Sequence, residues 1–599
     1  MKKLFVLLLL FSFFVQTSSS QIITTKFEQS KGTQSPTYFE IIDWWKKLDE
    51  KSGKVKMLTM GMSDAGYPLH LVVVSNNGDY NFDNIRKNNK RIIFINNGIH
   101  PGEPDGIDAS MLMVRDIVES SINRKPSPPG RGELKVSSNK GNGVGLPDNI
   151  VLAIIPVYNI GGCLNRSVNY RIDQNGPVEK GFRGNSQNLD LNRDFIKCDS
   201  KEARAFTEIF HLLDPDVFID NHVSNGADYQ HVMTLLTSQH NKLGGPMGEF
   251  MNKQFEPALF SLMKEKNYDL VPYVNAFGET PETGWSEYWD SPRYSSGYAT
   301  LWHTFAFVPE THMLKPYDQR VNATYTLMQC FIDFTSKNSE QIKKLRNQTK
   351  QAVKSATAFP VSWVLDRSQS ATVTYKGYTA GKKPSEVSGL PRLFYDRSKP
   401  FEKQVPIYNY YKTEKVVQKP VAYIIPQGWW KVIDLLKLNK VDMRQLKKDT
   451  VIEVKVYRID DYKTAARQNE MHHRNNEVKL LESIQKMKFS KGDYYIPLNQ
   501  VANRFLIETL EPQTEDSYFS WNFFDAVLGQ KEGFSGYSFE DIAAEYLKTN
   551  SDLKNKLEQR RVSDTAFAKS ATAQLNFVFQ NSPYFEPVNL RYPVYSLMK

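Results

Sequence analysis

The chain has 599 residues, more than one hydrophobic core usually serves, so two or more domains are expected. With 40% apolar, 24% charged and 12% aromatic residues it is of the ordinary globular class, which excludes a disordered, collagen-like or disulfide-scaffolded protein. The formal charge of +10 is carried by lysines scattered along the chain and not clustered with aromatics, so no nucleic-acid surface is expected.

At the N-terminus an apolar run over residues 4–15 follows Lys2 and Lys3 and gives way to Ser18, Ser19 and Ser20. That run is short of the about 20 residues needed to span a bilayer. A basic start, a short apolar stretch and small residues at the end read as a secretory signal peptide over residues 1–20, cut before Gln21. The mature chain is then exported, periplasmic or secreted, with no transmembrane segment, and its formal charge falls from +10 to +8. No cysteine lies near the cut, which argues against a lipid anchor. Cys163, Cys198 and Cys330 are too few for a disulfide framework and are expected as small buried filler.

A helix is expected over 37–48, then strands over 56–60 and 69–74 joined by a turn. Short, nearly continuous apolar runs follow at 91–95, 150–157, 216–219 and 304–308, the pattern of strands buried on both faces. Helical stretches at 105–120 and 201–213 lie between them. This alternation predicts an α/β sandwich around a mostly parallel or mixed sheet. Residues 125–142, rich in Pro, Gly, Ser and Lys, read as an exposed loop. Beyond about 350 the texture changes. Strand-like runs at 421–425, 451–457 and 493–496 alternate with polar helical stretches expected at 477–487 and 541–547. We therefore expect a first domain over 21–350 and a C-terminal α+β module over 351–599.

The run Asn96-Asn97-Gly98-Ile99-His100-Pro101-Gly102-Glu103 follows directly on the strand at 91–95. His-x-x-Glu brings an imidazole and a carboxylate to one ion when the backbone turns sharply, and zinc favours such nitrogen and oxygen donors. Alone, the pair is a weak signal, because His near Glu is more often a hydrogen-bonded surface contact. His222, just after the strand at 216–219, is a candidate third ligand, and Glu310 closes another strand end. Open α/β sheets place their sites at the carboxyl ends of strands. Between the two ligand segments lie Arg183 and, ten residues on, Asn192-Arg193. Arginine's planar fork suits a carboxylate, though surface salt bridges are the plain alternative. His472-His473 with Glu477 is a further metal-like cluster, read as an exposed helix face because no third ligand is near.

Taken together, His-x-x-Glu, Arg183-Gly-Asn185, Asp190-Leu-Asn192-Arg193-Asp-Phe, His222 and Glu310 resemble the zinc carboxypeptidases of the carboxypeptidase A/B type, over residues 35–345. The resemblance implies a carboxypeptidase-like α/β/α sandwich with a central mixed sheet of about eight strands. It implies that His100, Glu103 and His222 bind one zinc ion and that Glu310 is the general base. It further implies that Arg183 polarises the scissile carbonyl, that Asn192 and Arg193 hold the substrate's terminal carboxylate, and that Asp190 orients His100. The expected substrates are peptides with a free C-terminal carboxylate. An amidase of cell-wall peptides or a deacylase of N-acyl substrates is the alternative on the same fold. Two departures stand out. Asn159-Ile160-Gly161-Gly162 replaces the family's Asn-Pro-Asp-Gly, and the family's mobile tyrosine could be Tyr288, Tyr294 or Tyr298.

Overall fold

The computed structural model describes residues 23–120 and 145–598, so the expected signal peptide and the expected loop at 125–142 lie outside the described residues. Helix α1 (Tyr38–Lys51) starts where Thr37 and Glu40 form a reciprocal capping box. Its buried face, with Tyr38, Ile41, Trp45 and Leu48 at three- and four-residue spacing, packs on strand β1 (Val55–Met62), which pairs antiparallel with β2 (Pro68–Ser75). The remaining strands of this sheet are β3 (Arg91–Asn96), β4 (Ile150–Ile155), β5 (Val217–Asp220), β6 (His222–Ser224), β7 (Met233–Thr237), β8 (Val271–Pro272) and β9 (Phe305–His312). They run in the order β1-β2-β4-β3-β5-β9-β7-β8, with β6 added against β9. β4, β3, β5 and β9 are mutually parallel, while β1, β2 and β7 introduce antiparallel pairs. The result is the expected mixed sheet.

The apolar runs of β3, β4 and β5 are continuous because both faces are covered. Register sets Ala153, Phe94, Phe218 and Ala306 side by side across four strands. On that face Phe206 of helix α3 (Lys201–Leu213) meets Phe94 and Phe218 at ring-centroid distances of 5.4 and 5.7 Å. One residue on, side chains point the other way. There Phe307, paired with Ile219, meets Phe331 of helix α4 (Tyr317–Lys337) at 4.8 Å, and α4 packs on α2 (Asp105–Ser120). Cys163, Cys198 and Cys330 are buried free thiols within this core.

Helix α5 (Ser339–Ser355) leads into the rest of the chain. A long antiparallel hairpin, β10 (Ala371–Pro384) with β11 (Pro391–Tyr408), is followed by strands β12 (Ala422–Ile425), β13 (Thr450–Thr464), β14 (Asn475–Phe489), β15 (Tyr494–Pro497) and β16 (Tyr595–Leu597). The last five join Arg444–Gln445 in a six-stranded sheet. One expectation is corrected here: 477–487 is strand β14, not helix. Its Glu, Lys, Leu and Gln residues favour helix by only a few tenths of a kcal/mol each. Against that, β14 pairs with β13 from Phe489–Thr450 to Asn475–Thr464, and the backbone bonds of that ladder decide the outcome. No helix among the described residues is long and apolar enough to cross a membrane.

Candidate metal centre and substrate cavity

The loop after β3 is shaped by Gly98, whose φ of 67° lies in the left-handed region that side chains avoid. A tight turn follows, in which the Glu103 N–H donates to the His100 carbonyl at 2.8 Å. Imidazole and carboxylate therefore face the same point: His100 Nδ1 lies 3.0 Å from Glu103 Oε1. His222 arrives from the end of β5, its Nδ1 2.9 Å from Glu103 Oε2. The donor atoms of His100, Glu103 and His222 all lie within 4.8 Å of one another, and the three side chains are buried.

Each histidine is aimed from behind. Asp190 Oδ1 lies 2.9 Å from His100 Nε2, and Asp220 Oδ2 lies 3.1 Å from His222 Nε2. Asp220 is itself held by buried Asn96, whose amide donates to Oδ1 at 3.0 Å. A carboxylate on Nε2 keeps the proton there and leaves the Nδ1 lone pair facing the shared point.

Glu310 stands opposite His222 in the β6–β9 register, so strand pairing sets the general-base candidate beside the cluster. Loss of bulk water pushes its carboxyl up to about 8; His222 opposes this and Glu103 adds to it. Arg183 is exposed to the cavity and grips Asp190 Oδ2 through Nε at 3.0 Å and Nη2 at 2.8 Å. Burial opposes ionisation of Asp190, but His100 and Arg183 hold its carboxyl well below the usual range. The unusual turn at Asn159 supports this frame. Its side-chain amide donates to the carbonyls of Ile99 at 3.2 Å and Arg183 at 2.9 Å, tying both loops together. Gly162 there leaves no room for a Cβ, which would lie 2.4 Å from the Phe182 carbonyl.

Asn192 and Arg193 form one short 3-10 turn facing the same cavity, of about 530 Å³. The Asn192 Oδ1 atom is buried and has no hydrogen-bond partner among the described residues. The Arg193 guanidinium lies over the Tyr294 ring at 4.7 Å and donates to the Asn192 carbonyl at 2.9 Å. Of the three tyrosines, Tyr288 and Tyr294 line the cavity, whereas Tyr298 is buried in the core with its hydroxyl on Asn439 Oδ1 at 2.7 Å.

Residues 41–224, which include His100, Glu103, Arg183, Asn192, Arg193 and His222, match the family model of the zinc carboxypeptidases. The chain carries a zinc carboxypeptidase domain. It is a zinc peptidase. No curated protein matches the chain. Among solved structures it is similar to a metallo-carboxypeptidase from Burkholderia cenocepacia, at 14% identity and a TM-score of 0.35, over 50% of this chain and 69% of that one. A metallo-carboxypeptidase from Pseudomonas aeruginosa gives 14% identity and a TM-score of 0.34, over 50% and 68%. Carboxypeptidase A from Helicoverpa armigera gives 13% and 0.35, over 52% and 73%.

The donor set of the zinc carboxypeptidase domain fits the metal. Two neutral imidazole nitrogens and one carboxylate are the borderline donors that catalytic zinc takes, leaving a position open. Burial opposes ionisation of Glu103, but the Arg171 guanidinium beside it holds its carboxyl well below the usual range, so it is ionised as a ligand must be. Arg171 carries no motif of its own and is not apparent from the sequence; its Nη2 pairs with Glu103 Oε1. A φ of 47° at Arg171 and a side chain pressed against Gly102 are the marks of its placement, and neither is readable in one dimension. His472, His473 and Glu477 form no cluster: His472 Nε2 lies 2.9 Å from Asp199 Oδ2, His473 Nδ1 lies 3.0 Å from the Ala465 carbonyl, and Glu477 pairs with Lys463.

Proposed function

We propose that the chain is an exported exopeptidase that removes C-terminal amino acids from peptides, with zinc held by His100, Glu103 and His222. The reading is carried by one juxtaposition: Glu310, in register with His222, and the Asn192-Arg193 turn line the same cavity as His100, Glu103 and His222. Bound zinc supplies Lewis acidity, which brings the pKa of a water towards about 7. Arg193 and Asn192 anchor the terminal carboxylate, the Asn192 amide turning towards it, and so fix the last peptide bond in place. Arg183, braced by Asp190, shares the negative charge that develops on the carbonyl oxygen. Glu310 takes the proton from the attacking water and returns it to the nitrogen of the departing amino acid as the C–N bond breaks.

Mass spectrometry of a peptide mixture incubated with the protein tests the reading, with loss of single C-terminal residues expected. Cleavage confined to internal or side-chain amide bonds would instead establish the amidase alternative. A strong chelator is expected to abolish this activity and zinc to restore it; full activity in metal-free protein overturns the metal assignment. Arg183→Ala is expected to lower kcat by about 10²–10³-fold, as loss of an oxyanion donor does. A change confined to KM would make Arg183 a substrate-binding residue only.

A further inference from the structure

Two loops line the substrate cavity, and residues beyond Ser355 hold both. The first is the loop carrying Asp190, Asn192 and Arg193. The Asp190 N–H donates to Glu470 Oε2 at 2.8 Å, a contact between residues 280 positions apart. Five residues past Asp194, whose carboxylate takes the N–H groups of Asp199 and Ser200 at 2.9 Å, the same segment is fastened by His472 on Asp199. Glu470 and His472 belong to one two-residue turn closed by mutual backbone bonds between Asn469 and His472 at 2.8 and 3.0 Å. The central residues Glu470 and Met471 have φ values of 48° and 69°. Such a turn strongly prefers Asn or Gly at these positions. Two ordinary side chains kept there carry a conformational cost that the surrounding contacts must offset.

The second loop, Trp289 to Ser296, brings Asp290, Tyr294, Ser295 and Ser296 to the cavity. Arg293 within it is buried. Its backbone N–H and its Nε donate to Asp516 Oδ2 at 2.9 and 3.1 Å, and its Nη2 pairs with Glu515. Ser291 and Trp289 reach Glu515 Oε2 at 2.8 and 3.2 Å. Fully buried Trp521 lies between the two loops, with Lys197 of the first at 5.5 Å and Arg293 of the second at 5.7 Å from its ring.

We propose that the region beyond Ser355 is a working part of the substrate site, in which Glu470 is a positioning residue: by holding the Asp190 amide it sets the Asn192-Arg193 turn for the terminal carboxylate. The inference rests on the carboxylate-anchoring role of that turn. It predicts a division that a bracing contact elsewhere would not produce. Asn192 and Arg193 serve free-acid peptides and contribute nothing to C-terminally amidated ones, so displacing the turn lowers the preference for the acid.

The experiment compares full-length wild type, Glu470→Ala and Glu470→Gln, each zinc-loaded, on one peptide as acid and as amide. A hydrogen bond to a charged group is worth about tenfold or more. Glu470→Ala is therefore expected to lower the acid-to-amide ratio of kcat/KM by about tenfold, chiefly through KM for the acid. Glu470→Gln keeps an acceptor oxygen in place and is expected to restore most of it. Hydrogen exchange without substrate gives a second readout: amides of 188–194 are expected to exchange faster in the alanine variant and to regain protection with glutamine. An unchanged ratio together with unchanged exchange overturns the proposal. Faster exchange in an enzyme whose wild type does not distinguish acid from amide overturns instead the reading of Asn192 and Arg193, and leaves the Glu470 contact established.

Discussion

Glu310→Gln is expected to keep zinc and fold while losing most of kcat, by about 10²–10⁴-fold, the usual contribution of a positioned proton-transfer group. Glutamine has the size and shape of glutamate and sits on β9 without disturbing the Glu310–His222 register, so packing is not the variable. What changes is basicity: the amide oxygen holds a hydrogen bond from water but does not take its proton. The environment gives the wild-type carboxyl the opposite property, since loss of bulk water beside Glu103 raises its affinity for a proton to about 8. The check is kcat alongside zinc content and thermal unfolding. A variant with normal zinc and Tm that keeps more than a third of wild-type kcat removes Glu310 from the mechanism.

Amidating the C-terminus of a good peptide substrate is expected to be equally revealing. Among the described residues Arg193 has no carboxylate at hydrogen-bond distance. Asp190 Oδ2 stands 3.8 Å away and is gripped more closely by Arg183, while Asp194 points into the core towards Lys197 and Ser200. The guanidinium instead lies over the Tyr294 ring and donates to the Asn192 carbonyl, at the wall of the cavity that a planar anion would enter. Breaking a charged, desolvated pair costs about 2–5 kcal/mol, so kcat/KM should fall about 30- to several-thousand-fold on amidation. Arg193→Ala should lose as much on the acid and little on the amide. The measurement is the two-by-two comparison of both enzymes on both peptides. Equal cleavage of acid and amide by wild type removes the carboxylate anchor and favours the amidase alternative.

The local sequence carried much of this protein on its face. Continuous apolar runs announced strands buried on both sides, because a sheet covered twice needs no polar alternation. His100 and Glu103 are joined by a turn that four residues specify among themselves, and Asn192 with Arg193 likewise. Such short-range groups are legible because their geometry is set by a few backbone angles.

What only the tertiary structure decided depends on contacts between distant segments. Strand register, not spacing, put Glu310 beside His222. Arg171 reached Glu103 from a left-handed backbone position in a loop without a motif, and Tyr298, four residues after the cavity's Tyr294, is buried in the core with its hydroxyl on Asn439. Residues 477–487 were taken from helix to strand by the facing strand β13, since weak local preference yields to a full ladder of backbone bonds. The contact of Glu470 with Asp190, 280 residues away, is of the same kind. The sequence by itself named the candidate side chains; folding alone determined which of them meet and what holds them there, because those distances are products of pairing and packing across the whole chain.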